Sequence, residues 1–139
     1  MNDSWTTPAV TVIVVLGAVV MAGLGGWMWG WPEGFAAYVN FPVHEHFLHD
    51  LGVFHIGVAV AMLTALAQRD AIFVVLVGYT VICVLHTGNH VLDLHLGGHA
   101  SQPVLIAAQA LIGGIGLWLR ARRLRAGSSG QPAAHRVDH

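Results

Sequence analysis

Apolar positions in this chain come in long runs. No charged residue stands between Asp3 and Glu33, and the stretch from Ala9 to Trp29 is apolar almost throughout. About 20 residues rising ~1.5 Å each cross a bilayer, so this stretch predicts a membrane-spanning helix. Thr7-Pro8 supplies its cap and first helical position. It reads as a span and not as a cleavable signal peptide, because no basic segment precedes it and its apolar core is long. A second span is expected over 42–67, polar in its first two turns and uncharged from Leu51. Gln68-Arg69-Asp70 makes a tight connection, with Asp70 placed to cap a third span over 71–92. After the loop Gly97-Gly98-His99-Ala100, Ser101 with Pro103 opens a fourth, over 102–119. The predicted fold class is all-α, an integral membrane four-helix bundle. One domain occupies 1–126, and the polar segment 127–139 is expected to be a disordered tail.

Composition sharpens this reading. Of 139 residues 55% are apolar and 9% are charged, where a soluble domain has about a quarter charged. A bilayer partner is therefore expected, and a nucleic-acid partner is excluded for want of a basic surface. A single cysteine rules out an intramolecular disulfide and a cysteine zinc cluster. The six arginines also orient the bundle. Arg69 lies in the second connection, and Arg120, Arg122, Arg123, Arg125 and Arg136 all follow the fourth span. The positive-inside rule then puts both termini in the cytoplasm, with the plasma membrane as the expected location. Trp27, Trp29 and Trp31 fall at the outer interface and Trp118 near the inner one. Ala18, Ala22, Gly26 and Gly30 form a small-residue stripe on the first helix, suited to close helix packing.

In this orientation His44, His46, His49, His55, His86, His90, His95 and His99 all lie in or near the outer half, with Glu45, Asp50 and Asp93. His135 and His139 belong to the tail. His86, His90 and Asp93 follow the spacing H-x3-H-x2-D, which places them within about 60° of one another on a helix. Two imidazoles at i and i+4 can share an ion, and a carboxylate one turn on can ligate it or orient a ring. The run Glu45-His46-x-x-His49-Asp50 divides into two i,i+4 pairs, Glu45 with His49 and His46 with Asp50. These seven residues are the candidate metal ligands, and imidazole with carboxylate suits Zn, Fe or Cu. His55 and His86 come to one depth on antiparallel spans, which also suits bis-imidazole haem b. Read alone, His55 is more often an interhelical hydrogen-bonding contact than a ligand. Cys83 reads as a small buried apolar residue.

Glu45-His46-x-x-x-Asp50-x-Gly52 opening one span, followed by His86-x-x-x-His90 ending the next, resembles a group of small four-span membrane proteins of high-GC actinobacteria. The resemblance covers the second and third spans, about half the chain, and implies a bacterial inner-membrane protein without implying an activity. Similar proteins often carry a basic residue where this chain has His49, so the shared ligands would be Glu45, His46, Asp50 and His90.

Three functions fit these observations. The first is an outward-facing metal or haem site serving redox chemistry or metal handling. The second is a proton or metal transporter in which the histidines are successive stations. Against it, the inner half offers little beyond Thr64, Tyr79, Thr80 and Gln109. The third is an accessory subunit of a larger membrane complex, or a homo-oligomer, with the histidines as interhelical contacts. A membrane di-iron hydroxylase shares the abundance of histidine, but its clusters face the cytoplasm.

Overall fold

The fold is that of a computed structural model, which describes residues 7–68 and 71–128. It is all-α. Five helices occur among the described residues: α1 (Pro8–Gly30), α2 (Pro32–Val39), α3 (Glu45–Ala65), α4 (Ala71–Leu92) and α5 (Ser101–Ser128). All but α2 are long and apolar enough to cross a membrane. The Asp70 cap, the positions of Arg69 and Arg136, and residues 129–139 of the expected tail, with His135 and His139, lie outside the described residues.

Helix ends follow local chemistry. The Thr7 hydroxyl accepts from the Val10 amide at 3.3 Å, with Pro8 at the first helical position, as expected. Pro32 breaks the helical path after α1 and starts α2, an eight-residue helix in the first connection. The long-run pattern did not announce α2, although Pro32, Glu33 in the first turn and an Asn at the far end are its signals. Asn40 takes the left-handed conformation (φ 58°, ψ 47°). The Phe41 amide then donates to Ala36 O at 3.0 Å and the Asn40 amide to Ala37 O at 3.4 Å, a Schellman closure. α3 begins at Glu45, three residues later than expected, because His44 caps it: His44 Nδ1 accepts from the Phe47 amide at 3.2 Å.

The fourth helix exceeds the 102–119 expectation. α5 runs 28 residues, through the arginines to Ser128, or ~42 Å at ~1.5 Å per residue against a hydrocarbon core of about 30 Å. The domain boundary expected at 126 therefore falls inside a helix. Arg122 lies over the Trp118 ring, 4.7 Å from its centroid. Such a stack suits an interfacial depth.

Packing divides the bundle into two tight pairs, α1 with α3 and α4 with α5, joined by α1 against α5 and by a light contact of α3 with α4. The α1–α3 crossing is made by two glycines. A Cβ at Gly25 would stand 2.7 Å from Gly52 O, and a Cβ at Gly52 would stand 2.8 Å from Gly25 O. On the other side, Gly113 accommodates Thr80 and Tyr79, and Gly116 accommodates Ile13. The small-residue stripe expected on α1 is not the packing face. Ala18 is buried, but Ala22, Gly26 and Gly30 are exposed, and a Cβ at Gly26 or Gly30 would meet nothing within 4 Å. Gly17, Met21, Gly25 and Met28 make that face instead. Side chains such as Leu16, Val19, Val74 and Leu85 point outward, as lipid-facing positions do.

One end of the bundle carries α2 and the turn between α4 and α5. The Gly98 amide donates to Asn40 O at 3.3 Å. The Gln102 side chain donates to Val39 O at 3.2 Å and accepts from the His99 amide at 3.2 Å, tying α5 to the end of α2. Gly97 (φ 142°) and Gly98 (φ 90°) make this turn in backbone conformations that suit glycine.

Candidate functional site

At this end the polar residues of α3 and α4 separate into distinct groups. The first turns of α3 face outward. His46 Nε2 lies 3.6 Å from Asp50 Oδ2, with side chains 84% and 57% exposed, so the His46–Asp50 pairing exists on an open surface. Glu45 is exposed, and no ion pair joins it to His49 among the described residues. His49 is half-buried beside the buried Leu48.

The inner group is built on α4. His86 and His90 stand one turn apart, both half-buried, with Nε2 atoms 3.0 Å apart and ring centroids 4.7 Å apart. One ring donates and the other accepts, so this pair holds a single shared proton between two imidazoles. The Phe41 ring, carried by the chain that leaves α2, lies 6.4 Å from the His90 ring. Asp93 caps the short 3-10 turn Leu94–Leu96, where its carbonyl accepts from the Leu96 amide at 2.8 Å. Its side chain makes no ion pair among the described residues.

His55 approaches from α3. Its Nδ1 lies 2.8 Å from Leu51 O. A carbonyl oxygen only accepts, so Nδ1 carries a proton and donates, and in the neutral ring Nε2 keeps its lone pair. His55 and His86 come to one depth on antiparallel helices: Met62 and Tyr79, seven residues from each, both reach Gly17.

The seven candidate ligands are thus not gathered at one point. Among the described residues no three His, Cys, Asp or Glu side chains are grouped as a metal ion would need. His86 and His90 come together, and His55 bonds to Leu51 O of its own helix. His46 and Asp50 form a separate exterior pair, while Glu45, His49 and Asp93 stand apart. His44 is a helix cap. His95 bonds through Nδ1 to Leu92 O at 3.1 Å, and His99 contributes its backbone.

A second polar feature lies deeper. Tyr79 is buried between Gly17 of α1 and Gly113 of α5, and its hydroxyl donates to Gln109 Oε1 at 3.3 Å. Cys83 is buried one turn further along α4. The Thr87 hydroxyl donates back to Cys83 O at 2.8 Å. Sequence alone marked Tyr79 and Gln109 only as scarce polar groups. Their pairing across 30 positions follows from the antiparallel α4–α5 register. No protein-family model matches the chain, and no curated protein or solved structure is significantly similar to it.

Proposed function

We propose that the chain is a bacterial inner-membrane protein, with both termini cytoplasmic, whose outward-facing His86–His90 pair binds a transition-metal ion for metal handling or redox chemistry. The observation that carries this reading is the 3.0 Å separation of the two Nε2 atoms. Two imidazoles on one ion at bonds of about 2.0–2.1 Å, at 90–110° to each other, leave their nitrogens about 2.8–3.4 Å apart. A metal ion can therefore replace the shared proton at the same nitrogen separation, once the two rings turn their Nε2 lone pairs from each other towards a common point. The residues are half-buried at the end of an apolar helix, where ionisable groups usually mark function. Zn(II) and Cu(II) suit an imidazole donor set. A metal ion is favoured over haem b because His86 turns its Nε2 to His90, its neighbour on the same helix. An axial ligand would instead aim across the seam at His55.

The test is elemental analysis and Zn(II) and Cu(II) titration of detergent-purified protein, beside the His86→Ala/His90→Ala double variant. One ion per chain, lost in the variant, is the expected result. Protein that binds neither metal refutes the reading, and a Soret band on addition of haem would replace it with haem binding. The same hydrogen bond also supports proton transfer between the two rings as a second reading, since imidazole exchanges protons near neutral pH.

A further inference from the structure

α4 and α5 leave a groove between them on the lipid-facing surface of the bundle, about 590 Å³ in volume and lined by Val84, Ala110, Leu111, Gly114, Ile115 and Trp118. It exists because Ala110 and Gly114 present little side chain there, and a Cβ at Gly114 would meet nothing within 4 Å. Val84, Leu111, Ile115 and Trp118 stand exposed around it. The contact of Gly113 with Thr80 sets the antiparallel register and brings Val84 near the level of Ala110. The groove therefore runs from the middle of the bundle towards Trp118. From Ala110 to Trp118 it is ~12 Å long at ~1.5 Å per residue, close to the ~15 Å of hydrocarbon in one leaflet. Counted from Ser101, a span of ~20 residues ends at Arg120. The leaflet concerned is thus the one at the C-terminal end of α5, far from the histidine pair.

Past the groove the chemistry changes along the same face. At about 100° per residue, Leu111, Gly114, Trp118, Arg122 and Arg125 fall within about 80° of one another. The exposed Arg122 guanidinium stacks on the Trp118 ring, 4.7 Å from its centroid. Stacking fixes the plane of the guanidinium and leaves its N–H edge to bind a phosphate bidentately. α5 carries no acidic residue to neutralise it. We propose that the α4–α5 groove binds an anionic phospholipid. One acyl chain lies in the groove against Gly114, and Arg122 holds the phosphate beside Trp118. Charge complementarity selects this occupant over a second copy of the chain. Copies in one membrane share an orientation, so a symmetric contact through this face would set Arg122 against Arg122.

The test is native mass spectrometry of the delipidated full-length protein in a non-ionic detergent, titrated with phosphatidylglycerol or with phosphatidylcholine of the same acyl chains. One phosphatidylglycerol per chain is expected, retained about five-fold more than phosphatidylcholine, the weight of one arginine beside an anionic headgroup. Arg122→Gln should bring the two lipids level, and because Arg122 is exposed this variant leaves the packing untouched. Gly114→Leu should reduce retention of both lipids, since its side chain fills the groove without meeting protein. Gly26→Leu, at another glycine with open space around it, should match wild type. Circular dichroism should be the same for all four proteins. Equal retention of the two lipids by the wild-type protein would overturn the proposal, as would a preference that survives Arg122→Gln. Equal losses in Gly114→Leu and Gly26→Leu would remove the groove from it. Displacement of phosphatidylglycerol by millimolar inorganic phosphate would leave a bare anion site in its place. A dimer that dissolves in Gly114→Leu, without a lipid preference, would assign the groove to a second copy.

Discussion

Substituting Gly25 by alanine tests the packing that carries His55. The new Cβ would stand 2.7 Å from Gly52 O, 2.9 Å from Ile56 Cγ1 and 3.0 Å from His55 Cβ. A carbon sits about 3.3–3.6 Å from a carbonyl oxygen when the two are in contact, so α1 and α3 must part by roughly 0.6–0.9 Å. The obstacle is a backbone carbonyl in the middle of a helix and cannot rotate away. Overpacking of this kind costs about 1–3 kcal/mol, and alanine returns about 0.5–1 kcal/mol as the better helix former. The expected net effect is a destabilisation of about 1–2 kcal/mol. Gly26→Ala is the paired control. It meets nothing within 4 Å, so only the helix-propensity gain of about 0.5–1 kcal/mol remains. Reversible unfolding in mixed micelles, followed by circular dichroism, should show the two variants moving in opposite directions. Equal destabilisation by both, or a stable Gly25→Ala, would refute the assignment of this face to α3.

Gln102→Ala removes two side-chain bonds, one to Val39 O that ties α5 to α2 and one from the His99 amide, at about 0.5–1.5 kcal/mol each, and should speed amide hydrogen exchange at His99. Tyr79→Phe deletes the bond to Gln109 in a buried setting and should cost about 1–3 kcal/mol in the same unfolding assay. Tyr79→Ala should cost about 3–5 kcal/mol through the cavity it leaves between Gly17 and Gly113. Gly98→Ala forces a side chain onto φ 90° and should destabilise the turn by about 1–3 kcal/mol. Ions bound by imidazole compete with protons, so Zn(II) affinity should fall as the pH is lowered. A pH-independent affinity measured by competition with a chelating dye would exclude imidazole ligation.

The four long helices were legible because lipid-facing helices need no amphipathic pattern, only length and the absence of charge. Their contact faces were not. On α1, Gly17, Gly23, Gly25, Gly26 and Gly30 are interchangeable by composition, and only the placement of α3 selects Gly25. The same limit applied to the histidines. Helical phase put His86 and His90 on one stripe, and they meet there. It also offered both i,i+4 pairs at the start of α3, and only His46 with Asp50 forms, on an exposed face. The helix outlasts the fourth span for a physical reason: arginines stop a hydrophobic run but are good helix formers, so α5 continues past the membrane-length segment.

On α4 the histidine pair and the buried positions occupy different stretches, and this decides how the histidine variants can be read. The largest fully buried side chains, Met28, Met62, Ile72, Leu76, Val10, Val14 and Cys83, lie on α1, on α3 past His55, or on α4 before His86, while Met28 also joins Ala36 and Leu48 in a smaller cluster at the α2 end. On α4 the buried positions are Ile72, Leu76, Tyr79 and Cys83, and none follows Cys83. His86 and His90 therefore lie beyond the last buried position of their helix. Their hydrogen bond joins two residues of one helix already held by its backbone bonds, so it adds little to the bundle. Replacing both with alanine removes two half-buried polar rings and strands no buried partner. Stability should change by less than about 1 kcal/mol. If the double variant instead unfolds readily in detergent, the pair serves as packing, and the imidazoles' closeness would have a structural cause. If it stays folded and loses metal, the 3.0 Å approach of two titratable rings is held for function, since the fold stands without it.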